Sequence, residues 1–268
     1  MHWQTSPLLT KLIRYTRLGL ITDVDGTISH LVDQPDAARI TPRSRELLAA
    51  LRDRITLVAA LSGRSARDVQ TIVDLPGIQL IGNHGMEWWR DGQIEIAPSA
   101  AEYRPALEAA VKAVRAQQVP GVFVEDKGVT LAIHYRRAAD PDAVAEWLAG
   151  LLSKIAGAHH LKLSQGNMIF ELRPPVEINK GSAFRQLIEI YHLDAAVYLG
   201  DDTTDLDALR MARQLRDSGT CWAVGLGVAS DHIPPALPAT ADLMLSGIQE
   251  VETFLAWLLS NASRASST

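Results

Sequence analysis

The stretch 18-LGLITDVDGT-27 decides how the rest of the chain is read. An apolar run ends at two carboxylates, Asp23 and Asp25, spaced i, i+2 and followed at once by Gly26 and Thr27. A short apolar run closed by turn residues predicts a buried strand over 18–23. On a straight strand, residues two apart share a face, and Gly26 lets the chain turn so that both acids reach one place. Two acids at the mouth of a buried strand call for a reason, and the rest of the chain supplies it.

Outward from this strand, Thr41-Pro42 opens a helix to about Arg52, with a cap residue before a first-turn proline. The run 55–61, ITLVAAL, is a second buried strand ending at Ser62-Gly63-Arg64, and a helix follows from Ala66 to Val73. A third strand over 78–85 precedes a hairpin around Asp91-Gly92. Strands without polar alternation, separated by helices, predict a parallel sheet covered on both faces. The middle has another rhythm. A helix at 101–117, a hairpin around Asp126-Lys127-Gly128, a helix at 141–156 and a glycine-turned hairpin to Arg173 predict a small α+β unit with an antiparallel sheet. From Lys180 the first rhythm returns: helix, strand AAVYLG into Asp201-Asp202, helix 204–216, strand 220–225 and helix 247–259. The expected organisation is an α/β core, 1–99 and 177–268, interrupted by an inserted α+β cap, 100–176.

Composition narrows the function. Of 268 residues 47 % are apolar and 21 % charged, and the net charge is −5, with no basic run; nucleic acid is not an expected partner. No apolar run is long enough to span a bilayer and the N-terminus lacks a signal core, so the expectation is a cytoplasmic protein without membrane contact. A lone Cys221 forms no internal disulfide. The tail from Ser260 to Thr268, rich in Ser and Ala, reads as frayed. A monomer that binds a small molecule is expected.

In parallel α/β sheets, ligands bind beyond the carboxyl ends of strands. There this chain carries Asp23, Asp25 and Thr27, then Ser62 and Arg64, Asn83-His84, and Asp201, Asp202 and Asp205, with Lys180 at a helix start. Clustered carboxylates repel one another unless a cation is present, and an all-oxygen set suits Mg²⁺. Lysine and hydroxyls beside it suit the oxygens of a phosphoryl group. One acid of the opening pair can attack phosphorus and the other can move the proton. His159-His160 has no further metal-ligand spacing.

Asp23-Val24-Asp25-Gly26-Thr27, Ser62, Lys180 and Gly200-Asp201-Asp202-Thr203-Thr204-Asp205 resemble the four ordered motifs of the haloacid dehalogenase superfamily, with its Rossmann-like core. The acid at position 25 points to its phosphatases. The resemblance implies Asp23 as nucleophile and Asp25 as general acid/base, with Thr27, Ser62 and Lys180 on phosphate. It implies Mg²⁺ held by Asp23, the Asp25 carbonyl and Asp201, with Asp202 or Asp205 acting directly or through water. The long insertion between Ser62 and Lys180 is similar to members with a large cap after the second motif. SGRS at 62–65, GNHGME at 82–87, VEDKGVTLAIHYR at 124–136 and GDDTTDLDA at 200–208 resemble the trehalose-6-phosphate phosphatases, over roughly 18–260. That family often carries Glu where Asn83 stands. By this resemblance Glu125, Lys127 and Glu171 touch the disaccharide. Arg64, just before a helix, reads either as steadying the substrate or the seam between core and cap, or as a surface arginine. A glycosyl-3-phosphoglycerate or sucrose phosphate, a phosphoacceptor switch, and an inactive sugar-phosphate sensor stay open as alternatives.

Overall fold

The computed structural model describes residues 3–32, 37–166, 168–230 and 233–263. The end of the tail read as frayed, 264–268, lies outside them. In chain order the elements are α1 (Pro7–Leu12), β1 (Leu18–Thr22), α2 (Pro42–Arg52), β2 (Leu57–Leu61), α3 (Ala66–Val73), β3 (Gln79–Gly82), β4 (Glu87–Arg90) and β5 (Gln93–Ile96). Then come α4 (Pro98–Ala101), α5 (Arg104–Arg115), β6 (Phe123–Asp126), β7 (Leu131–His134), α6 (Pro141–His159), β8 (Lys162–Gly166) and β9 (Ile169–Arg173). The chain continues with α7 (Lys180–Ile190), β10 (Ala195–Gly200), α8 (Leu206–Asp217), β11 (Trp222–Val228), α9 (Leu237–Thr240), β12 (Leu243–Leu245) and α10 (Ile248–Asn261).

Among the described residues these strands form two sheets. The larger runs β12-β11-β10-β1-β2-β3-β4-β5. Its strands are parallel from β12 to β3, and β4 turns back antiparallel to β3. β1 and β2 are buried at every position, as a strand covered on both faces must be. Leu18 and Leu20 face α1, α2, α3 and α10 in one apolar layer, while Ile21 joins α7 and α8 in the other. Thr41 caps α2 by accepting the Ser44 N–H at 3.0 Å, ahead of Pro42. The smaller sheet, β6-β7-β9-β8, is antiparallel throughout. Its inward residues Leu131, Ile133, Phe170 and Leu172 pack on α5 and α6 in a separate core.

The chain divides into two compact units, Met1–Ile94 with Ile178–Thr268, and Glu95–Glu177. Several elements differ from the sequence expectation. The helix expected at 101–117 is α5, starting at Arg104 because Pro105 belongs in a first turn, and a separate short helix, α4, begins ahead of it at Pro98. The strand expected over 78–85 stops at Gly82, since Asn83 and His84 take φ of 46° and 58°. The short β12, α1 and α9 carry too little periodicity to be read in advance.

Candidate active site

β10 and β2 flank β1 on either side, so three central strands end together. The register pairs Thr22 with Leu199, and the Asp23 N–H still donates to the Leu199 carbonyl at 2.8 Å. Asp23 and Asp201, each one residue past its strand, are therefore brought together by adjacent parallel strands. Gly26, at φ 79°, turns the chain back beneath Asp201; a Cβ there would lie 2.1 Å from Asp201 Oδ2.

Among the described residues, one oxygen each of Asp23, Asp201 and Asp205 lie within 4.8 Å of one another, all three side chains being buried. Lys180, the first residue of α7, donates to Asp23 Oδ1 at 2.6 Å and to Asp205 Oδ1 at 2.7 Å. Asn179 positions it by capping α7, accepting the Ser182 N–H at 2.9 Å. Burial works against the Lys180 ammonium, but the charges of Asp205 and Asp23 outweigh it and hold its pKa above the ordinary value. Burial pushes the Asp23 carboxyl well above its usual range, against the pull of Lys180. Asp201 is pushed up to about 7, first by burial and then by the charge of Asp205. Three acids against one ammonium leave negative charge in excess. A closely spaced, buried, all-oxygen set of this kind fits a hard divalent cation.

The three acids are not equivalent. Asp205 Oδ1 accepts from both Lys180 and the Tyr198 hydroxyl, the latter at 2.5 Å. Its Oδ2 accepts the backbone N–H groups of Asp201 at 3.1 Å and Asp202 at 2.9 Å. A carboxylate offers about four acceptor positions, and the protein fills them all. Asp205 thus anchors Lys180 and the 201–202 turn, leaving Asp23 and Asp201 as the acids with oxygens open to a cation. Asp202 is exposed and outside the cluster.

The side chain of Asp25 also stands apart from the cluster. Arg64 grips it in a two-pronged ion pair, Nε to Oδ2 at 2.6 Å and an Nη to Oδ1 at 2.8 Å. Thr27 is buried and donates to Asp201 Oδ1 at 3.3 Å. Ser62 is buried at the end of β2, its Oγ accepting the Arg64 N–H at 3.2 Å. Asn83 is fully buried in the turn beside it.

In the Glu95–Glu177 unit, Glu125 and Glu171 both pair with Ala132 of β7 and so stand on one face of the small sheet. That face is opposite the apolar core, as strand alternation requires. Lys127 Nζ lies 3.9 Å from Glu171, and Arg173 lies 3.8 Å from its other oxygen. His134, on the same face, contacts Glu125 at 2.8 Å.

Tyr198 and His134 were not singled out from the sequence. Tyr198 sits in an apolar strand and reads as packing. The signal for His134 was its alternation with Ala132 on the polar side of β7.

The family described as trehalose-phosphatase matches residues 21–230. Trehalose-phosphate phosphatases of Mycobacterium tuberculosis are 40 % identical over 194 residues, covering 69 % of this chain and 49 % of theirs. That of Mycobacterium marinum is 39 % identical over 202 residues, covering 72 % and 50 %. The chain spans about half the length of these curated relatives. Among solved structures, the C-terminal domain of Candida albicans trehalose-6-phosphate phosphatase superposes with a TM-score of 0.75 at 21 % identity, over 94 % of this chain and 95 % of that one. A haloacid dehalogenase-like hydrolase from Bacteroides thetaiotaomicron shares the fold with a TM-score of 0.64 at 13 % identity, over 90 % and 98 %. Acids and a serine at the ends of neighbouring strands, a lysine at a helix start beside them, and a family match across most of the sequence place this chain in the trehalose-phosphatase family.

Proposed function

We propose that this protein is a Mg²⁺-dependent phosphatase that hydrolyses trehalose 6-phosphate to trehalose and phosphate. The observation that carries the reading is Asp23, a buried carboxylate held by Lys180 beside Asp201 at the carboxyl end of the central strand. Asp23 attacks phosphorus, the bond to the sugar C6 oxygen breaks, and Asp25 gives that oxygen its proton. Water then attacks the aspartyl phosphate, Asp25 takes the water's proton, and phosphate leaves. Lys180, Ser62 and Thr27 donate to phosphoryl oxygens, and Asp25 leaves its ion pair with Arg64 to carry the proton, the guanidinium then donating to a phosphoryl oxygen. Asp23, Asp201 and the Asp25 carbonyl would hold the Mg²⁺. Bound there, it supplies positive charge opposite the phosphoryl oxygens. Glu125, Lys127 and Glu171 read the sugar hydroxyls, acceptors and a donor matched to a neutral polyol. The core is assigned to 1–99 with 177–268 and the cap to 100–176.

No helix among the described residues is long and apolar enough to cross a membrane. The protein is taken to act in the cytoplasm, as a monomer, on a small soluble substrate.

The test is phosphate release across trehalose 6-phosphate, sucrose 6-phosphate, a glucosyl-3-phosphoglycerate and glucose 6-phosphate, each with Mg²⁺. Trehalose 6-phosphate should lead in kcat/KM by about 100-fold, some 2.7 kcal/mol of transition-state preference. Another ester in first place would reassign the substrate while leaving the chemistry; no release from any would remove the activity.

A further inference from the structure

Glu87 opens β4 outside the acidic cluster, yet it is only 3 % exposed. Its Oε2 accepts the Ala66 N–H at 2.8 Å. Ala66 is the first residue of α3, the helix that starts directly after Ser62-Gly63-Arg64-Ser65. Ser65 caps this helix through the Asp68 N–H at 3.2 Å, so the Ala66 N–H needs a partner from elsewhere. A carboxylate at a helix start is also electrostatically favoured.

The chain leading to Glu87 binds the same loop at three more points. The Ser62 N–H donates to the Ile81 carbonyl at 3.0 Å, the Asn83 N–H to the Arg64 carbonyl at 2.6 Å and the His84 N–H to the Ser62 carbonyl at 2.9 Å. Asn83 and His84 hold left-handed φ values where they make the last two bonds, a conformation that is uncommon outside glycine and that Asn and His adopt more readily than most. Gly82 passes so near that a Cβ on it would lie 2.2 Å from the Ala66 nitrogen. Residues 62–66 are therefore clamped along one side by 81–87. Within the loop itself the Arg64 N–H donates to Ser62 Oγ at 3.2 Å.

We propose that Glu87 is a positioning residue for the reaction: by fixing the start of α3 it sets the Ser62–Arg64 loop, and with it the phosphate-facing hydroxyl and the guanidinium that grips Asp25. This rests on the reading of Ser62 and Arg64 given above. The hydrogen bond and its reach carry the effect. Glu87→Gln keeps both the length and an acceptor oxygen, whereas Glu87→Asp keeps the charge but falls one methylene short.

The experiment is calorimetric titration of inorganic phosphate, with Mg²⁺ present, into the wild type and both variants, alongside kcat and KM for trehalose 6-phosphate and thermal midpoints. Phosphate affinity should stay within about 3-fold of the wild type in Glu87→Gln and fall about 10-fold in Glu87→Asp, with kcat/KM falling at least as far. An unchanged phosphate affinity in Glu87→Asp, whatever its thermal midpoint, overturns the proposal, because a purely structural residue would shift only the midpoint. Glu87→Gln as weak as Glu87→Asp also overturns it, since charge would then carry the effect. If Glu87→Asp does not fold, amide hydrogen exchange over 62–66 in Glu87→Gln decides. Wild-type protection supports the clamp and lost protection overturns it. A wild type that binds no phosphate would fail the underlying reading of the loop, whereas a wild type that binds while the variants match it fails this inference alone.

Discussion

Lys180 lies between two buried carboxylates, and its ammonium is the cation both of them contact. Lys180→Met removes that charge while roughly keeping the volume. Asp23 and Asp205 would then be buried without compensation, and the expected loss is about 3–5 kcal/mol of stability, read from urea unfolding midpoints. A loss below about 1 kcal/mol would mean that the acids simply take up protons instead. Tyr198 is subtler. Its hydroxyl supplies one of the four donors on Asp205, and burial raises its pKa far above the ordinary phenol value, so it stays a donor. Tyr198→Phe should cost about 1–2 kcal/mol in unfolding, and lower kcat about 10-fold with KM little changed. An unaltered kcat would show that three donors hold Asp205 as well as four. Asp23 and Asp201 were legible in the sequence because charged residues at the ends of apolar strands have no structural excuse, whereas Lys180, at a helix start, was legible only as one of a set of motifs. Tyr198 and Glu87 were not. A tyrosine inside AAVYLG looks like core, and a glutamate before two tryptophans looks like the start of a hairpin; only tertiary packing shows what their oxygens meet.

Among the elements, β7 is the most informative. Its Leu131 and Ile133 enter the core of the small unit, while Ala132 and His134 face the other way, between the rows that carry Glu125 and Glu171. Alternation of apolar and polar residues along these strands leaves one face of this sheet polar. It was not enough to show that both glutamates share the level of Ala132, which depends on the register of two hairpins. A sugar-reading role for this face predicts selective damage. Glu125→Ala should lower kcat/KM about 100-fold for trehalose 6-phosphate and less than about 3-fold for p-nitrophenyl phosphate, which has no sugar to read. Equal losses on both esters would take Glu125 out of substrate recognition. Elsewhere, α2 was readable from its cap residue and first-turn proline, and α7 from the helical rhythm that returns at Lys180. The short α4 went unread because four residues carry too little periodicity.

At the scale of the whole molecule, the acidic cluster couples stability to pH and to a cation. Asp201 sits near 7 and Asp23 is displaced in the same direction, both above their ordinary values. Their contribution to stability is therefore fully present at low pH and is lost as pH rises toward and through about 7. A divalent cation that binds only the folded protein reverses that loss, and competes poorly while the acids hold protons. Added Mg²⁺ should raise the thermal midpoint clearly at pH 8 and little at pH 5. A rise independent of pH would place the cation away from Asp201.

The pairing of β1 with β10 joins Leu18 to Ala195, neighbours in space but far apart along the chain. A ribosome releases β1 long before its partner exists, so until then the apolar edge of that strand has no parallel mate on that side. Contacts of the Glu95–Glu177 unit are, by contrast, local in sequence and close early. Synthesis thus leaves the larger unit exposed to aggregation and to chaperones until β10 has emerged, and Asp23, Asp201 and Asp205 cannot come together before then.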